Sequence, residues 1–544
     1  MFVLPFFMYL LIFSGCLSTE RLEEAQSLQP PAPLPEATQP VQLPRSAQPA
    51  PPAQTAQPSL PSPAALRAPE ERTSPPPEVL FNFCAGYHAL LDGHWNKAVQ
   101  YFEKALEKDP RSERLLKYLV GCYIQMGKKE KSLEYIQRLS EISPDDFRVH
   151  YTLGDIYQRE ERTDDAIAAF ERATRSNLSN VEPGLLADAL YRLASLYLQK
   201  NEPTKAISCL KSIFQLNAPV DYSLLYSELG IAYAEAKDFL NAKENLQKAK
   251  DLNPSLGQAR MYLAMVYEET GELQEAIKES EAFLVLFPES WIGYAYVAGL
   301  YKKASRPEEA EFARGEAINI LTRKVVKGSQ DPREYLALAQ LLIVQERRDD
   351  AMKVLNNAIN TIKEDKSEEV HLLLANLYYE NNCDEAVEKE LKAILRIDPN
   401  AHEASNFLGY FYAERGKELD EALELVEKAL QAQPNNGAYI DSLGWVYYKQ
   451  ATERQGDTRL EQALQKLMEA SQDSPEPEIF KHLGEIYYSM GQWEAANSQW
   501  QKALQKPPQS PKDEQIILWI QEKLKKLDSL KKLEEEPQVE QPGL

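Results

Sequence analysis

From about residue 79 onward, apolar positions recur at helical spacing, in segments of roughly a dozen residues broken by Gly, Pro, Asn or Asp. The segments come in pairs. One pair reads Leu408-Gly409, Tyr412, then Ala422, Val426, Ala429 and Pro434, and the next repeats the order as Leu443-Gly444, Tyr447, then Ala463, Leu467, Ala470 and Pro475. The types follow from packing. Where two antiparallel helices cross closely only Gly, Ala or Ser fits, and large residues one turn away fill the gaps. A proline after the second helix ends it and sets the turn into the next pair.

The same order runs through most of the chain. It appears at Gly86, Ala98, Phe102 and Ala105, at Leu119, Tyr123 and Leu139 with Ser132 in an Ala place, and at Leu153-Gly154, Tyr157, Ala166 and Phe170. It continues at Leu193-Ala194 and Ala206 after a short insertion (Val181 to Leu186), at Leu229-Gly230 and Ala242, at Leu263-Ala264 and Ala276, and at Ala298, Ala310 and Ala317. The eighth pair is degenerate (Leu338-Ala339, Ala351, Ala358), and the ninth has Leu374-Ala375, Tyr378 and Ala386, one residue short in its inner turn. The twelfth closes with Leu483-Gly484, Tyr487, Ala496, Trp500 and Ala503. At a period of about 34 residues, this resembles the tetratricopeptide repeat (TPR). The resemblance implies an all-α fold, an α-solenoid of about twelve TPR helix hairpins. Residues 511–536 then read as a capping helix, with Ile516, Ile520, Leu524 and Leu527 on one face.

The resulting domain order is repeats in 79–324, a candidate joint at 325–331, repeats in 332–510, the cap in 511–536 and a disordered tail in 537–544. The joint is expected because the seventh pair lacks its closing proline, so its second helix should run on towards Lys327 before Gly328 breaks it.

The first residues differ in kind. Met1 to Phe13 is apolar but too short to span a bilayer as a helix, which suits a secretory signal. Phe13-Ser14-Gly15-Cys16 resembles a bacterial lipobox, which implies a lipoprotein signal in 1–15 and a lipid on Cys16. Leu17 in place of Asp after that cysteine implies, by the same resemblance, the outer membrane. Residues 16–78 follow as a Pro/Ala/Gln-rich tether. Leu17 to Glu78 holds sixteen of the 35 prolines, a composition that cannot bury enough apolar surface to order itself.

Charge narrows the function further. A net charge of −22 opposes general nucleic-acid binding and attraction to anionic membranes. The five cysteines show no C-x-x-C spacing, so neither a disulfide framework nor a zinc site is expected, although Cys84 and Cys122 on neighbouring first helices could pair. Gly121 to Lys128 has the wrong spacing for a phosphate loop, and His402-Glu403 lacks the second histidine of a zinc protease. No catalytic residue, metal or cofactor is expected.

In TPR arrays the first helix of each pair (helix A) lines a concave groove, and its positions 2, 5, 9, 12 and 13 face inward. This resemblance assigns to the groove Leu80, Phe83 and Tyr87, then Arg114 and Lys117, then Arg148, Tyr151 and Asp155. Further along it assigns Met261 and Met265, then Asn406, Tyr410, Asp441, Trp445, Tyr448 and Lys449. Trp and Tyr beside hydrogen-bonding groups in a concavity resemble a peptide site, while packing between neighbouring A helices is the alternative for Trp445 and Tyr410. The expectation is a non-enzymatic, periplasm-facing scaffold anchored to the outer membrane, binding peptide or helical segments of proteins in envelope assembly, secretion or polysaccharide export. The rival is a structural module that self-assembles into homo-oligomers.

Overall fold

The structure, a computed structural model, describes residues 75–453, 459–473, 476–508 and 511–535. Cys16, the signal, nearly all of the tether, Pro475 and the tail lie outside them. Among the described residues the regular structure is helical: twelve successive helix pairs and one final helix.

These residues form two compact units, with the division inside the seventh hairpin rather than at 325–331. One contains 75–289 and 296–310, and the other 290–295 and 311–535.

The first unit begins with α1 (Pro77–Leu91) and α2 (Trp95–Lys108), α3 (Glu113–Gln125) and α4 (Lys129–Ile142), and α5 (Phe147–Arg159) and α6 (Thr163–Arg175). It continues through α7 (Pro183–Gln199) and α8 (Pro203–Gln215), α9 (Tyr222–Glu235) and α10 (Phe239–Leu252), and α11 (Gly257–Glu269) and α12 (Leu273–Leu286). The divided seventh hairpin is α13 (Trp291–Lys303) and α14 (Pro307–Val326). As the missing proline implies, α14 is long, at 20 residues, and it ends just before Gly328 at φ +80°.

The second unit goes on with α15 (Pro332–Val344) and α16 (Arg348–Thr361), α17 (Glu368–Glu380) and α18 (Asp384–Ile397), and α19 (His402–Arg415) and α20 (Leu419–Ala432). Then come α21 (Gly437–Glu453) and α22 (Arg459–Asp473), α23 (Pro477–Ser489) and α24 (Trp493–Leu504), and α25 (Pro511–Glu535) as the cap. Ile516, Ile520 and Leu527 of α25 are buried, and Trp519 meets Trp500 edge to face at 6.1 Å.

Small residues explain the pairing. A Cβ placed on Gly409 would lie 2.8 Å from the Ala422 carbonyl oxygen, and one on Gly484 would lie 2.0 Å from Trp500 Nε1. The helices can cross this closely only because no side chain is there. Alanines 98, 166, 242 and 422, at the matching place in the second helices, have no exposed surface. Ser132 fills the same place and satisfies its hydroxyl by donating to the Lys129 carbonyl at 2.8 Å. The ninth hairpin departs from expectation. Its inner turn has ordinary length, with Asn382 left-handed at φ 55°, and the fully buried residue in the alanine place is Val387, not Ala386.

Candidate functional site

In the first unit the A-helix face is open at its N-terminal end. Phe83 and Tyr87 of α1 meet Tyr118 of α3 edge-on, with ring centroids 5.5 and 5.8 Å apart. Leu80 and Tyr87 remain 54% and 40% exposed. The Arg114 guanidinium of α3 lies 5.7 Å from the Phe83 ring centre, within reach of a cation–π contact. A Cβ on Gly121 would meet nothing within 4 Å, so the strip is also open there.

Charges along this strip are arranged unevenly. Lys117 donates to Asp146 at 2.7 Å, and Asp146 caps α5 by accepting from the Arg148 backbone N–H at 2.9 Å. Burial pushes the Asp146 carboxyl up, but these donors outweigh it and hold the group below the usual range. Tyr151 donates to Asp188 of α7 at 2.5 Å, and Arg192 ties Asp188 and Asp155 together at 2.7 and 3.2 Å. Burial, and then Asp188, push the Tyr151 phenol up to about 12. Arg114 and Arg148 are exposed and make no ion pair among the described residues.

The second unit gathers the other predicted residues, but it buries most of them. Trp445 stacks on the imidazole of His482 at 4.0 Å and on Tyr448 at 4.9 Å, and it is 4% exposed. His482, itself fully buried, contacts Asp441 through Nδ1 at 3.0 Å. Tyr410 of α19 donates to Glu414 at 2.9 Å and contacts Glu478 of α23 at 2.8 Å. Tyr448 and Ser489 share a hydrogen bond of 2.8 Å. Lys449 is half-buried, with Nζ 5.0 Å from the Trp445 ring centre, and burial lowers its pKa.

Tyr410, Asp441, Trp445 and Tyr448 therefore form a packed layer between successive A helices instead of lining an open groove. The cause is steric: consecutive helices all carry large side chains here, and each fills the space beside the next. Asn406, half-buried, shares the face, and its Oδ1, Trp445 Nε1 and His482 Nε2 have no hydrogen-bond partner among the described residues. Burial pushes the Glu414 carboxyl up, yet Lys481 and His482 hold it below the usual carboxylate range.

Several members of these clusters escaped the sequence reading. Glu414, Glu478 and Lys481 occupy the same inward positions of their helices and could have been found by the same count. Asp188, six residues before Ala194 as Arg148 is six before Gly154, falls at the same second position, while His482 lies one residue off the register. Met261 is buried in α11. Cys84 and Cys122 are free thiols, and burial pushes the Cys122 thiol up to about 11. Among the described residues, no group of three or more His, Cys, Asp or Glu could hold a metal ion, and no helix is long and apolar enough to cross a membrane.

Models of the tetratricopeptide repeat match residues 89–156, and again 151–213, 227–290 and 372–437. These stretches of the chain are tetratricopeptide repeats. A TPR repeat-containing protein of Pseudomonas aeruginosa is 31% identical over 152 residues, 28% of this chain and 24% of that protein. BBSome complex member BBS4 of Bos taurus is 26% identical over 192 residues, 35% of this chain and 36% of that protein. The matched stretches thus span well under half the length of either relative. Yeast Tom70, a solved structure, is 17% identical with a TM-score of 0.37, covering 84% of this chain and 97% of that one.

Proposed function

We propose that this TPR protein is a non-enzymatic scaffold that binds peptide or helical segments of other proteins on the face of its A helices. The supporting observation is the exposed aromatic and basic strip of α1, α3 and α5, with Leu80, Tyr87, Arg114 and Arg148 all open to solvent. Membrane anchoring through a lipid on Cys16, facing the bacterial periplasm at the outer membrane, is supported by the lipobox-like Phe13-Ser14-Gly15-Cys16. A role in envelope assembly, secretion or polysaccharide export rests on the resemblance to such lipoproteins.

A photo-crosslinking side chain at Tyr87, against one at Leu240 on α10 (80% exposed), tests the face in cells. Discrete protein adducts are expected from the Tyr87 position alone. Equal labelling from both positions removes the proposal. A Cys16→Ser protein should leave the membrane fraction, and its retention there would sink the anchor. Self-association is favoured by one observation, the exposed Leu80, Phe81 and Leu91 on α1. Sedimentation that shifts with concentration, and stops shifting in Phe81→Glu, would support that second reading.

A further inference from the structure

We infer that the outer face of α1 pairs with the same face of a second copy of this chain, the two helices running antiparallel about a two-fold axis close to Cys84. This rests on the self-association reading of α1 and adds the orientation and register of the pair.

The first and last of the described helices are built differently. An open stack needs a terminal helix with one wet face. The cap α25 has one, with Glu514, Glu522, Lys525 and Lys526 exposed. In contrast, the 15 residues of α1 hold a single carboxylate, Glu78, and no Lys or Arg. Val79, Gly86 and Ala89 of α1 are buried against the stack. Phe81, Cys84, His88 and Leu91 recur at steps of three and four, which puts them on one side of the helix. All four are exposed, Phe81 by 69% and Leu91 by 67%. Such a stripe on a terminal helix is a surface to be covered.

Charge selects the occupant. Two chains of net charge −22 repel wherever their acidic surfaces meet. The first helix pair is an exception, because Lys97, Lys104 and Lys108 nearly balance Glu78, Asp92, Glu103 and Glu107. The two ends of the stripe also differ. Lys108 lies 3.9 Å from Glu78 beside the start of α1, whereas Asp92 follows its end, with His88 at 3.0 Å. Cys84 is the middle residue of Pro77–Leu91. An antiparallel copy centred there sets Phe81 beside the other copy's His88 and brings each Lys108 towards the other copy's Asp92. A parallel copy would set like ends together, and a head-to-tail contact would bury the charged face of α25. The antiparallel pair uses the same patch on both copies and therefore closes. One helix face is a small interface, so the dimer is weak and reversible.

The test uses the full chain carrying Cys16→Ser, Cys209→Ser and Cys383→Ser, which leaves Cys84 as the exposed thiol among the described residues and Cys122 buried. A short bismaleimide should join two copies through Cys84, with a yield that rises with protein concentration. In sedimentation, Asp92→Lys and Lys108→Glu, each checked for unchanged helical content, should each weaken the dimer about tenfold. The two changes together should restore it, since each lysine again meets an acid on the other copy. Absence of the Cys84 adduct, or no restoration in the double variant, overturns the inference. If the adduct forms only after residues 17–74 are deleted, the chain's own tether covers the face, and that also overturns it. Sedimentation of Phe81→Glu separates the two levels. If the concentration-dependent shift is present and stops in Phe81→Glu while the charge exchange fails, self-association through α1 stands without this geometry. If no shift is seen at any concentration, both readings fall.

Discussion

Trp445 sits between His482 and Tyr448, while Arg114 stands in solvent beside Phe83. Both belong to inward-facing positions of A helices, and substitution should separate them. Trp445→Ala removes a buried ring and leaves a cavity, so it should cost about 3–5 kcal/mol in denaturant unfolding of the second unit. Arg114→Ala should shift stability by less than about 0.5 kcal/mol, since the side chain is exposed. The sequence could not tell these cases apart. Tyr87 occupies the same helix position as Trp445 but meets Tyr118 edge-on and stays 40% exposed, whereas Trp445 is enclosed between His482 and Tyr448. The partners that close the layer lie far along the chain: Glu478 meets Tyr410 across 68 residues. Local periodicity records which face a residue is on, but not how full that face becomes.

At the level of the helix pair, the turn from first to second helix repeatedly uses one left-handed residue. Glycine takes the place at 93, 127 and 271, but Glu161, Lys237 and Glu346 do so elsewhere, at φ of 58°, 59° and 61°. A side chain with a Cβ pays roughly 1–2 kcal/mol in that conformation, partly offset because glycine loses more freedom on folding. Glu346→Gly should therefore raise the unfolding midpoint of the eighth hairpin, by about 0.5–1 kcal/mol in urea titration. Helix identity and pairing were readable because the small-residue rhythm is a direct demand of close crossing. The misreading at Ala386 shows the limit of that rhythm. Leu391 and Ile394 beside Val387 are buried, and the site accepts valine, so a pattern tuned to alanine slips by one residue.

For the whole chain, acid should be more damaging than its low pI of about 5.0 alone would imply. The carboxyls of Asp146, Asp331, Glu390 and Glu414 are all held below their ordinary range in the folded state by donors that outweigh burial. For Glu390 the first of those donors is His371, at 2.6 Å. A carboxyl with a lowered folded pKa stabilises the fold fully above its unfolded value, near pH 4. That stability is lost as pH falls through the folded value. Stability should thus be flat in these groups from neutrality to about pH 5 and fall steeply below about pH 4. Unfolding midpoints measured from pH 7 to 3 check this, and Glu390→Gln should flatten the fall while lowering stability at pH 7. The repeat architecture was legible almost throughout. The division inside the seventh hairpin was not, because it depends on contacts distributed over many helices rather than on a missing proline.

The final helix carries a consequence of its own. Ile516, Ile520 and Leu527 are buried, and Trp519 covers Trp500. A premature stop shortly after residue 504 would therefore do more than shorten the protein. It would strip an aromatic, greasy surface bare, and the product should clump or be degraded rather than persist as a smaller working version.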